Sequence, residues 1–305
     1  MNPPAVIALR LVAGLALSAA IGAAAYRRRS LSRSGIAGAI LTGTLTFGLG
    51  GLMAGLLLIA FFVSSSALSH YKQNRKAALA ETFDKTGRRD LGQVLANGGA
   101  AALFAVISGL ALLGGGASLP AACLGAVVGA LAAANADTWA TELGVLSKRP
   151  PRLITHPGRV VAPGTSGGVT MAGMTAAVAG AGFIGLVQGL LQQIAQPGPA
   201  APVLVSAVFW YNMPATPAHL ALVMLVSAVL AGTAGSLLDS LLGATVQAAY
   251  AKPGGSQLTE RRFDRDGRPN RLARGWRWMT NDWVNFTATL AGAGFGALIA
   301  GASLL

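Results

Sequence analysis

The sequence predicts an all-α polytopic membrane protein with about seven or eight transmembrane helices, and three observations lead to this prediction. Hydrophobic residues make up 53% of the 305-residue chain and only 11% of its residues are charged, whereas about 25% are charged in an ordinary soluble domain. The apolar residues form long runs, and a run of about 20 residues suffices for a helix to cross a bilayer. The charged residues are collected in the segments between these runs.

Seven apolar runs mark the expected helices. They cover residues 5–25, 36–68, 92–113, 119–143, 167–192, 220–247 and 284–304. The second run is too long for one span, because 33 residues would form a helix of about 50 Å. Gly48, Gly50 and Gly51 interrupt it. We therefore expect one short helical hairpin at 36–68, and with it eight crossings in a single integral membrane domain over residues 1–305.

The basic residues predict the orientation of this domain. Of the 23 Lys and Arg residues, only Arg10 lies outside the segments 26–34, 69–91, 147–162 and 248–281. These segments share one side of the bilayer if the hairpin counts as two spans. The opposite connections contain no Lys or Arg, and they lie near 48–51, 114–118 and 193–219.

Basic loops between spans are typical of the cytoplasmic face. We therefore expect an integral protein of a cell (inner) membrane, with cytoplasmic loops at about 69–91, 147–162 and 248–281 and both termini outside. The net charge of +13 then faces membrane lipids, and nucleic acid is not an expected partner.

Three carboxylates fall inside or at the ends of apolar runs, namely Asp137, Glu142 and Asp239. An ionisable side chain within a span costs a few kcal/mol on insertion scales, which makes it a candidate for function. Carboxylates without neighbouring His or Cys suit Mg²⁺, which binds a few carboxylates together with water and substrate phosphates. The alternative is that each acid pairs with a nearby basic residue and fixes the end of a helix.

A Gly-rich turn at 163–168 precedes the fifth run. Consecutive backbone N–H groups in such a turn, followed by a helix N-terminus, bind anions. It lacks the Gly-Lys-Ser/Thr ending of a P-loop, and Ser166 alone could be a helix N-cap. The phosphate-binding candidates are Gly164, Thr165, Ser166, Gly167 and Gly168, with Lys148, Arg149 and Arg152 from the preceding loop.

Amide side chains enter helices on the same side. Gln93 and Asn97 have i and i+4 spacing at the start of the third run, and Asn281 and Asn285 repeat it at the start of the last. An amide in a span requires a hydrogen-bond partner, so ordinary interhelical bonding is the alternative to a shared polar cleft. Asn135, beside Asp137, belongs to the same set.

Three strings carry a family resemblance. They are Asn135-Ala-Asp-Thr-Trp-Ala-Thr-Glu-Leu-Gly144, Pro163-Gly-Thr-Ser-Gly-Gly-Val-Thr170 and Gly235-Ser-Leu-Leu-Asp-Ser-Leu-Leu-Gly-Ala-Thr245. Together with Gln93-Val-Leu-Ala-Asn97 and Asn285, they resemble the integral membrane family formerly of unknown function that includes the transmembrane protein 19 group and plant phytyl-phosphate kinases. The resemblance runs over nearly the whole chain.

This resemblance implies Mg²⁺-dependent transfer of a phosphoryl group from a nucleoside triphosphate, CTP in the plant enzymes, to an isoprenoid monophosphate. On this hypothesis Asp137, Glu142 and Asp239 hold Mg²⁺ and carry the catalysis. The Gly-rich turn and its basic neighbours hold phosphates, which Asn97, Asn135 and Asn285 orient. A nucleotidyl transfer would use the same groups. An alcohol acceptor would also need a general base, for which Asp137 is the first candidate.

Two other functions are consistent with buried carboxylates. A transporter or lipid flippase uses intramembrane acids along its pathway, with sites near the midplane and internal repeats. A membrane scaffold would use the acids only to pair helices. The clustering of polar residues at one end of the spans favours the phosphotransferase.

Overall fold

The computed structural model describes residues 3–72, 88–114, 119–194, 218–251, 258–264 and 266–302. Seven helices in these ranges are long and apolar enough to cross a membrane, which confirms the predicted fold class. They are α1 (Pro3–Arg27), α2 (Arg33–His70), α3 (Leu91–Leu113), α4 (Leu119–Gly144), α5 (Met171–Ile194), α6 (Ala218–Thr245) and α7 (Asn281–Ala302). Most of the predicted connections at 114–118 and 193–219, and most of the loop at 69–91, lie outside the described residues.

Helix α2 is two helices joined by a tight turn. Gly51 leaves the helical conformation with φ 84° and ψ 176°, a region that glycine adopts without steric cost. A Cβ placed on Gly98 of α3 would lie 3.7 Å from both Leu58 and Thr42. Residues 16 positions apart would be about 24 Å apart in a straight helix, so the two halves of α2 run antiparallel. The predicted hairpin is confirmed.

Helix α4 is the centre of the bundle. Its most apolar stretch is 78% buried, against 33–50% in the other helices, and it packs against α3, α5, α6 and α7. Gly125 and Gly129 of α4 face Gly292 and Gly296 of α7, and a Cβ at any of the four would collide with the opposite helix. Small residues at i and i+4 let two helices approach this closely in a membrane. The abundance of glycine in the apolar runs is therefore a packing feature.

Two small antiparallel sheets lie between the helices. The first comprises β1 (Arg152–Leu153), β2 (His156–Val160) and β3 (Gly168–Val169) in the order β2-β1-β3. The second comprises β4 (Ala249–Ala251), β5 (Leu258–Thr259) and β6 (Arg271–Arg274) in the order β5-β4-β6. The sequence predicted loops in all of these segments except β3, which it placed at the start of the fifth span. Strands of two to five residues are too short for a recognisable alternation.

Because of the first sheet, α5 begins later than the sequence predicted. The sequence predicted a span from residue 167, but Gly168 and Val169 pair with β1. Thr170 then accepts a hydrogen bond from the backbone of Gly173 at 3.0 Å, which is an N-cap contact. The helix therefore begins at Met171, and the Gly-rich turn leads into a strand instead of a helix.

Candidate functional site

A cavity of about 990 Å³ opens at the end of the bundle where the basic segments meet. All four of these segments contribute to it, together with the adjoining ends of α2 to α7. Arg28 and Arg29 come from the first segment, His70 and Arg89 from the second, Lys148 and Arg149 from the third, and Glu260 and Asn281 from the fourth. The one-sided distribution of charge in the sequence thus corresponds to a single polar cavity.

The cavity contains a pair of carboxyl groups from two helices. The side chains of Asp137 of α4 and Asp239 of α6 lie close enough to interact directly with each other. The Oδ2 atom of Asp239 is buried and has no hydrogen-bond partner among the described residues. Two carboxylates this close repel one another unless they share a proton or bind a cation, so the pair is suited to a positive ion.

This pair fits Mg²⁺, which takes one or two protein carboxylates and completes its shell with water and substrate phosphates. In the part of the chain that the structure describes, no three His, Cys, Asp or Glu side chains form a metal-binding group. The expected set of Asp137, Glu142 and Asp239 is therefore not brought together as one group. The unpartnered oxygen of Asp239 is the observation that supports a cation between the two aspartates.

Glu142 has other contacts. It lies five residues after Asp137 on α4, and its Oε1 accepts a hydrogen bond from Ser69 at 2.6 Å. Burial lowers the pKa of Arg89 from its ordinary value, and the Glu142 carboxylate opposes this shift. Arg89 also donates to Ser66 at 3.3 Å. Glu142 thus joins the end of α2 to the segment before α3.

Glu260 is a cavity residue that the sequence did not indicate. Its Oε1 accepts hydrogen bonds from Ser166 at 2.9 Å and from Gln247 at 2.7 Å, and its charge acts on Asp239. A single Glu in a segment with seven Arg was the only available signal. Glu260 fixes Ser166 and therefore the Gly-rich turn.

The Gly-rich turn lies against the end of α6. Gly167 has φ 82°, and a Cβ at this position would collide with Ala244. The nitrogen of Gly167 would be 3.1 Å from a Cβ on Gly243, one helical turn after Asp239. This contact places the turn beside the carboxylate pair, and all its residues from Pro163 to Gly168 line the cavity.

Three helices begin at the cavity. Asn97 near the start of α3, Thr170 before α5, and Asn281 and Asn285 of α7 all line it. The amide of Asn97 donates to the backbone oxygen of Gln93 at 2.9 Å. The free backbone N–H groups at these three N-termini can bind phosphate, in addition to the Arg and Lys side chains of the cavity.

Two candidates lie away from the cavity. Asn135 is completely buried, accepts a hydrogen bond from Ser64 at 2.9 Å and donates to the oxygen of Gly180 at 2.8 Å. Arg152 lies in β1 and donates to the oxygen of Pro157 at 2.7 Å. The structure gives Asn135 an interhelical contact and Arg152 a contact within its own loop, and it does not place either with the other phosphate-binding candidates.

Arg28 and Arg29 line the cavity, although the sequence indicated only a role in membrane topology for them. They follow α1, and Arg29 has φ 61°, a conformation uncommon for residues other than glycine and frequent at functional positions. The backbone of Arg89 bonds to Ser30 and Ser32, at 3.0 and 2.9 Å. These contacts bring the two arginine segments side by side. The Arg27-Arg28-Arg29 cluster was the signal, and nothing in its spacing distinguished it from an ordinary basic loop.

Comparisons with known proteins support the resemblance found from the motifs. The family described as "Integral membrane protein DUF92" matches residues 16–293. Protein PGR of Arabidopsis thaliana is 32% identical over 288 residues, which cover 92% of this chain and 93% of that protein. The Uncharacterized membrane protein MJ0933 of Methanocaldococcus jannaschii is 30% identical over 291 residues, covering 95% and 94%.

A further relative shares part of the chain. Protein VTE6, chloroplastic, of Arabidopsis thaliana is 32% identical over 178 residues, which cover 58% of this chain and 53% of that protein. No solved structure matches the chain. The motifs and the match over residues 16–293 agree, and the chain belongs to the family Integral membrane protein DUF92.

Proposed function

We propose that this protein is a Mg²⁺-dependent membrane lipid kinase. It transfers a phosphoryl group from a nucleoside triphosphate, with CTP favoured, to an isoprenoid (phytyl or polyprenyl) monophosphate and gives the diphosphate. The observation that carries this proposal is the pair of Asp137 and Asp239 in a cavity lined by arginines, lysine and a Gly-rich turn. The resemblance to plant phytyl-phosphate kinases and the similarity to Protein VTE6 support the reaction type.

Asp137 and Asp239 would hold the metal ion. When bound, Mg²⁺ would neutralise charge on the triphosphate and on the phosphoryl group as it transfers. Asp239 projects from the helix end that contacts the Gly-rich turn, so a triphosphate held at the turn lies next to the pair. The negative charge of both aspartates is required for this role.

The nucleotide side of the cavity consists of the Gly-rich turn with Lys148 and Arg149. These two side chains are exposed, reach the cavity and can neutralise phosphate oxygens. Glu260 holds Ser166 of the turn in position. Phosphoryl transfer depends mainly on such positioning and charge neutralisation, with little covalent chemistry for the protein to perform.

The acceptor supplies its own nucleophile. A phosphate monoester has a second pKa near 6, so an isoprenoid monophosphate is largely a dianion at neutral pH. One of its oxygens forms a bond to the γ-phosphorus, and the bond from that phosphorus to the β,γ-bridging oxygen breaks. The nucleoside diphosphate leaves with the bonding electrons. No general base is needed, and Asn97 and Asn285 orient the phosphates.

The depth of the carboxylates favours this reaction over transport. Asp137 lies seven residues before the end of α4 and Asp239 six before the end of α6, which is about 10 Å along each helix. Transport sites lie near the midplane of the bilayer. A lipid kinase needs its metal close to the interface, where a lipid phosphate and a soluble nucleotide can meet.

We place the cavity at the cytoplasmic face of a cell (inner) membrane, with both termini outside. The basic residues around the cavity support this orientation through the positive-inside tendency. It also gives the enzyme access to cytoplasmic nucleotides.

The test is an assay of the purified protein in detergent with Mg²⁺ and each nucleoside triphosphate in turn. Phytyl and geranylgeranyl monophosphates are compared with the corresponding alcohols, and the lipid product is identified by mass spectrometry. We expect a diphosphate from the monophosphates, with label transferred from γ-labelled but not α-labelled CTP. Transfer of the α-label would indicate a nucleotidyltransferase, and no nucleotide-dependent product from any acceptor would contradict the proposal.

A further inference from the structure

A second, apolar pocket lies beside the polar cavity. It has a volume of about 80 Å³ and lies between α1, both halves of the α2 hairpin and α3. Arg89, Gln93 and Asn97 line both the pocket and the cavity. Most of its other walls are apolar and include Leu17, Leu58 and Phe62. The two spaces therefore meet at a polar boundary formed by three residues.

We propose that this pocket binds the hydrocarbon tail of the lipid acceptor next to its phosphate, and that the phosphate lies at Arg89. The proposal rests on the kinase function and names where its lipid substrate binds. Arg89 supplies the charge at the boundary, and its guanidinium also lies 5.8 Å from the ring centre of Phe62 in the pocket wall. One residue thus contacts both the polar and the apolar space.

The charges divide the cavity into two sides. Arg28 and Arg29 lie next to Arg89, because their segment is hydrogen-bonded to its backbone. Lys148 and Arg149 belong to the loop that leads to the Gly-rich turn. An acceptor phosphate at the arginine side and a triphosphate at the turn would flank the aspartate pair. Glu142 lies on the first side, where it accepts a hydrogen bond from Ser69. Glu260 lies on the second side, where it accepts a hydrogen bond from Ser166.

The pocket is sized for the first part of an isoprenoid tail. One water-sized group needs about 10–15 Å³, so about 80 Å³ admits roughly five to eight water-sized groups, which is of the order of one isoprene unit with its five carbons. Leu17 of the pocket wall is 39% exposed on the outer surface of the bundle. The remainder of the tail can leave past it into the lipid, so the pocket reads the isoprene unit next to the phosphate.

Gly98 offers a way to fill the pocket. A Cβ there would be in ordinary contact with Leu58 and Thr42 at 3.7 Å, so Gly98→Ala fits and Gly98→Leu occupies the space. Gly294 of α7 has no atom within 4 Å of its Cβ position and does not line the pocket. The Gly294→Leu variant is therefore the matched control for a large side chain introduced into a span.

The experiment uses a diazirine-bearing analogue of phytyl monophosphate, cross-linked to the purified full-length protein and located by mass spectrometry. We expect labelling of Leu58, Phe62 or their neighbours, competed by phytyl monophosphate but not by phytol. Gly98→Leu should reduce it at least tenfold, while Gly98→Ala and Gly294→Leu retain it. Labelling outside α1, α2 and α3, or labelling unchanged in Gly98→Leu, would overturn the pocket assignment.

Turnover is measured on the same samples to separate the two proposals. If the wild-type protein makes the diphosphate, Gly98→Leu should raise the KM for phytyl monophosphate at least tenfold and leave the KM for the nucleotide unchanged. If the wild-type protein is labelled in the pocket but makes no diphosphate, the kinase reaction is wrong and the lipid site stands. If it makes the diphosphate without labelling in the pocket, the kinase reaction stands and the lipid site is wrong.

Discussion

The two ends of helix α4 have opposite surroundings, closely packed and apolar at the start and polar at the end. Toward its start, Gly125 and Gly129 bring the backbone against α7, and the surroundings are apolar and closely packed. Toward its end, Asp137 and Glu142 face a large polar cavity. Between them, Asn135 has both its polar atoms hydrogen-bonded. A polar residue in a span is thus structural where the fold supplies its partners. Asp239 is a candidate for function because its Oδ2 atom has no partner among the described residues and the residue lines the cavity.

The largest effect should come from neutralising the aspartate pair. Asp137→Asn and Asp239→Asn keep the shape of each side chain and remove the charge that would hold Mg²⁺. We expect each to lower kcat/KM at least 100-fold, equivalent to about 2.7 kcal/mol of transition-state stabilisation, without a lower melting temperature. The measurement is diphosphate formation per folded molecule. Asp266→Asn, in an exposed turn, is the control, and equal activity in all three variants would contradict the role of the pair.

The sequence predicted the helices and the polar end because both depend on local properties. Runs of apolar residues specify spans, and clusters of Arg and Lys specify the side on which they end. Pairing depends on neighbours that come from elsewhere in the chain. The sequence therefore did not show that Asp137 meets Asp239 while Glu142 meets Ser69, or that Glu260 approaches Ser166.

Arg10 illustrates the same limit. It is the one Lys or Arg residue outside the four basic segments, and the sequence indicated no role for it. In the fold it is 3% exposed and approaches the hairpin turn, with its guanidinium 3.5 Å from the Cβ position of Gly51. The turn and the arginine come together only after α1 packs on α2.

A packing substitution at the other end of α4 should lower stability and leave the nucleotide site intact, the reverse of the effect expected for the aspartate variants. In Gly129→Ala the new methyl group collides with the backbone oxygen of Gly292, and over-packing costs about 1–3 kcal/mol. We expect a melting temperature in detergent lower by several degrees, with Mg²⁺-nucleotide affinity retained below that temperature. Gly294→Ala, in open space on α7, should leave the melting temperature unchanged. Equal stability of both variants would show that the close α4–α7 contact is not needed.

A substitution in the Gly-rich turn should affect both stability and nucleotide binding. Gly167→Ala puts a methyl group into Ala244 and a side chain at positive φ, which costs roughly 1 kcal/mol or more and moves the turn away from Asp239. We expect about a tenfold rise in the KM for the nucleotide and a smaller change in the KM for the lipid. Gly158→Ala is the control because no atom lies within 4 Å of its Cβ position. If Gly167→Ala left the KM for the nucleotide unchanged, the turn would not be part of the nucleotide site.

The smallest effect on activity is expected at Asn135. Asn135→Ala leaves Ser64 and the oxygen of Gly180 without their partner, and an unsatisfied buried polar group costs about 1–3 kcal/mol. Thermal unfolding should show lower stability, and kcat/KM per folded molecule should change less than threefold. A loss of activity comparable to that of Asp137→Asn, at unchanged stability, would return Asn135 to the site.

The most direct test of the central claim is protection of the cavity by nucleotide. Cys123 is the single cysteine of the chain, so Cys123→Ala gives a background for Ser240→Cys, next to Asp239 and lining the cavity, and for Gly158→Cys outside it. A polar maleimide should label both variants. Mg²⁺ with CTP should slow labelling of the Ser240→Cys variant at least tenfold, leave the Gly158→Cys variant unaffected, and lose its effect when EDTA removes the metal. Labelling of the Ser240→Cys variant that is indifferent to Mg²⁺ and to every nucleoside triphosphate would contradict a metal-nucleotide site between α4 and α6.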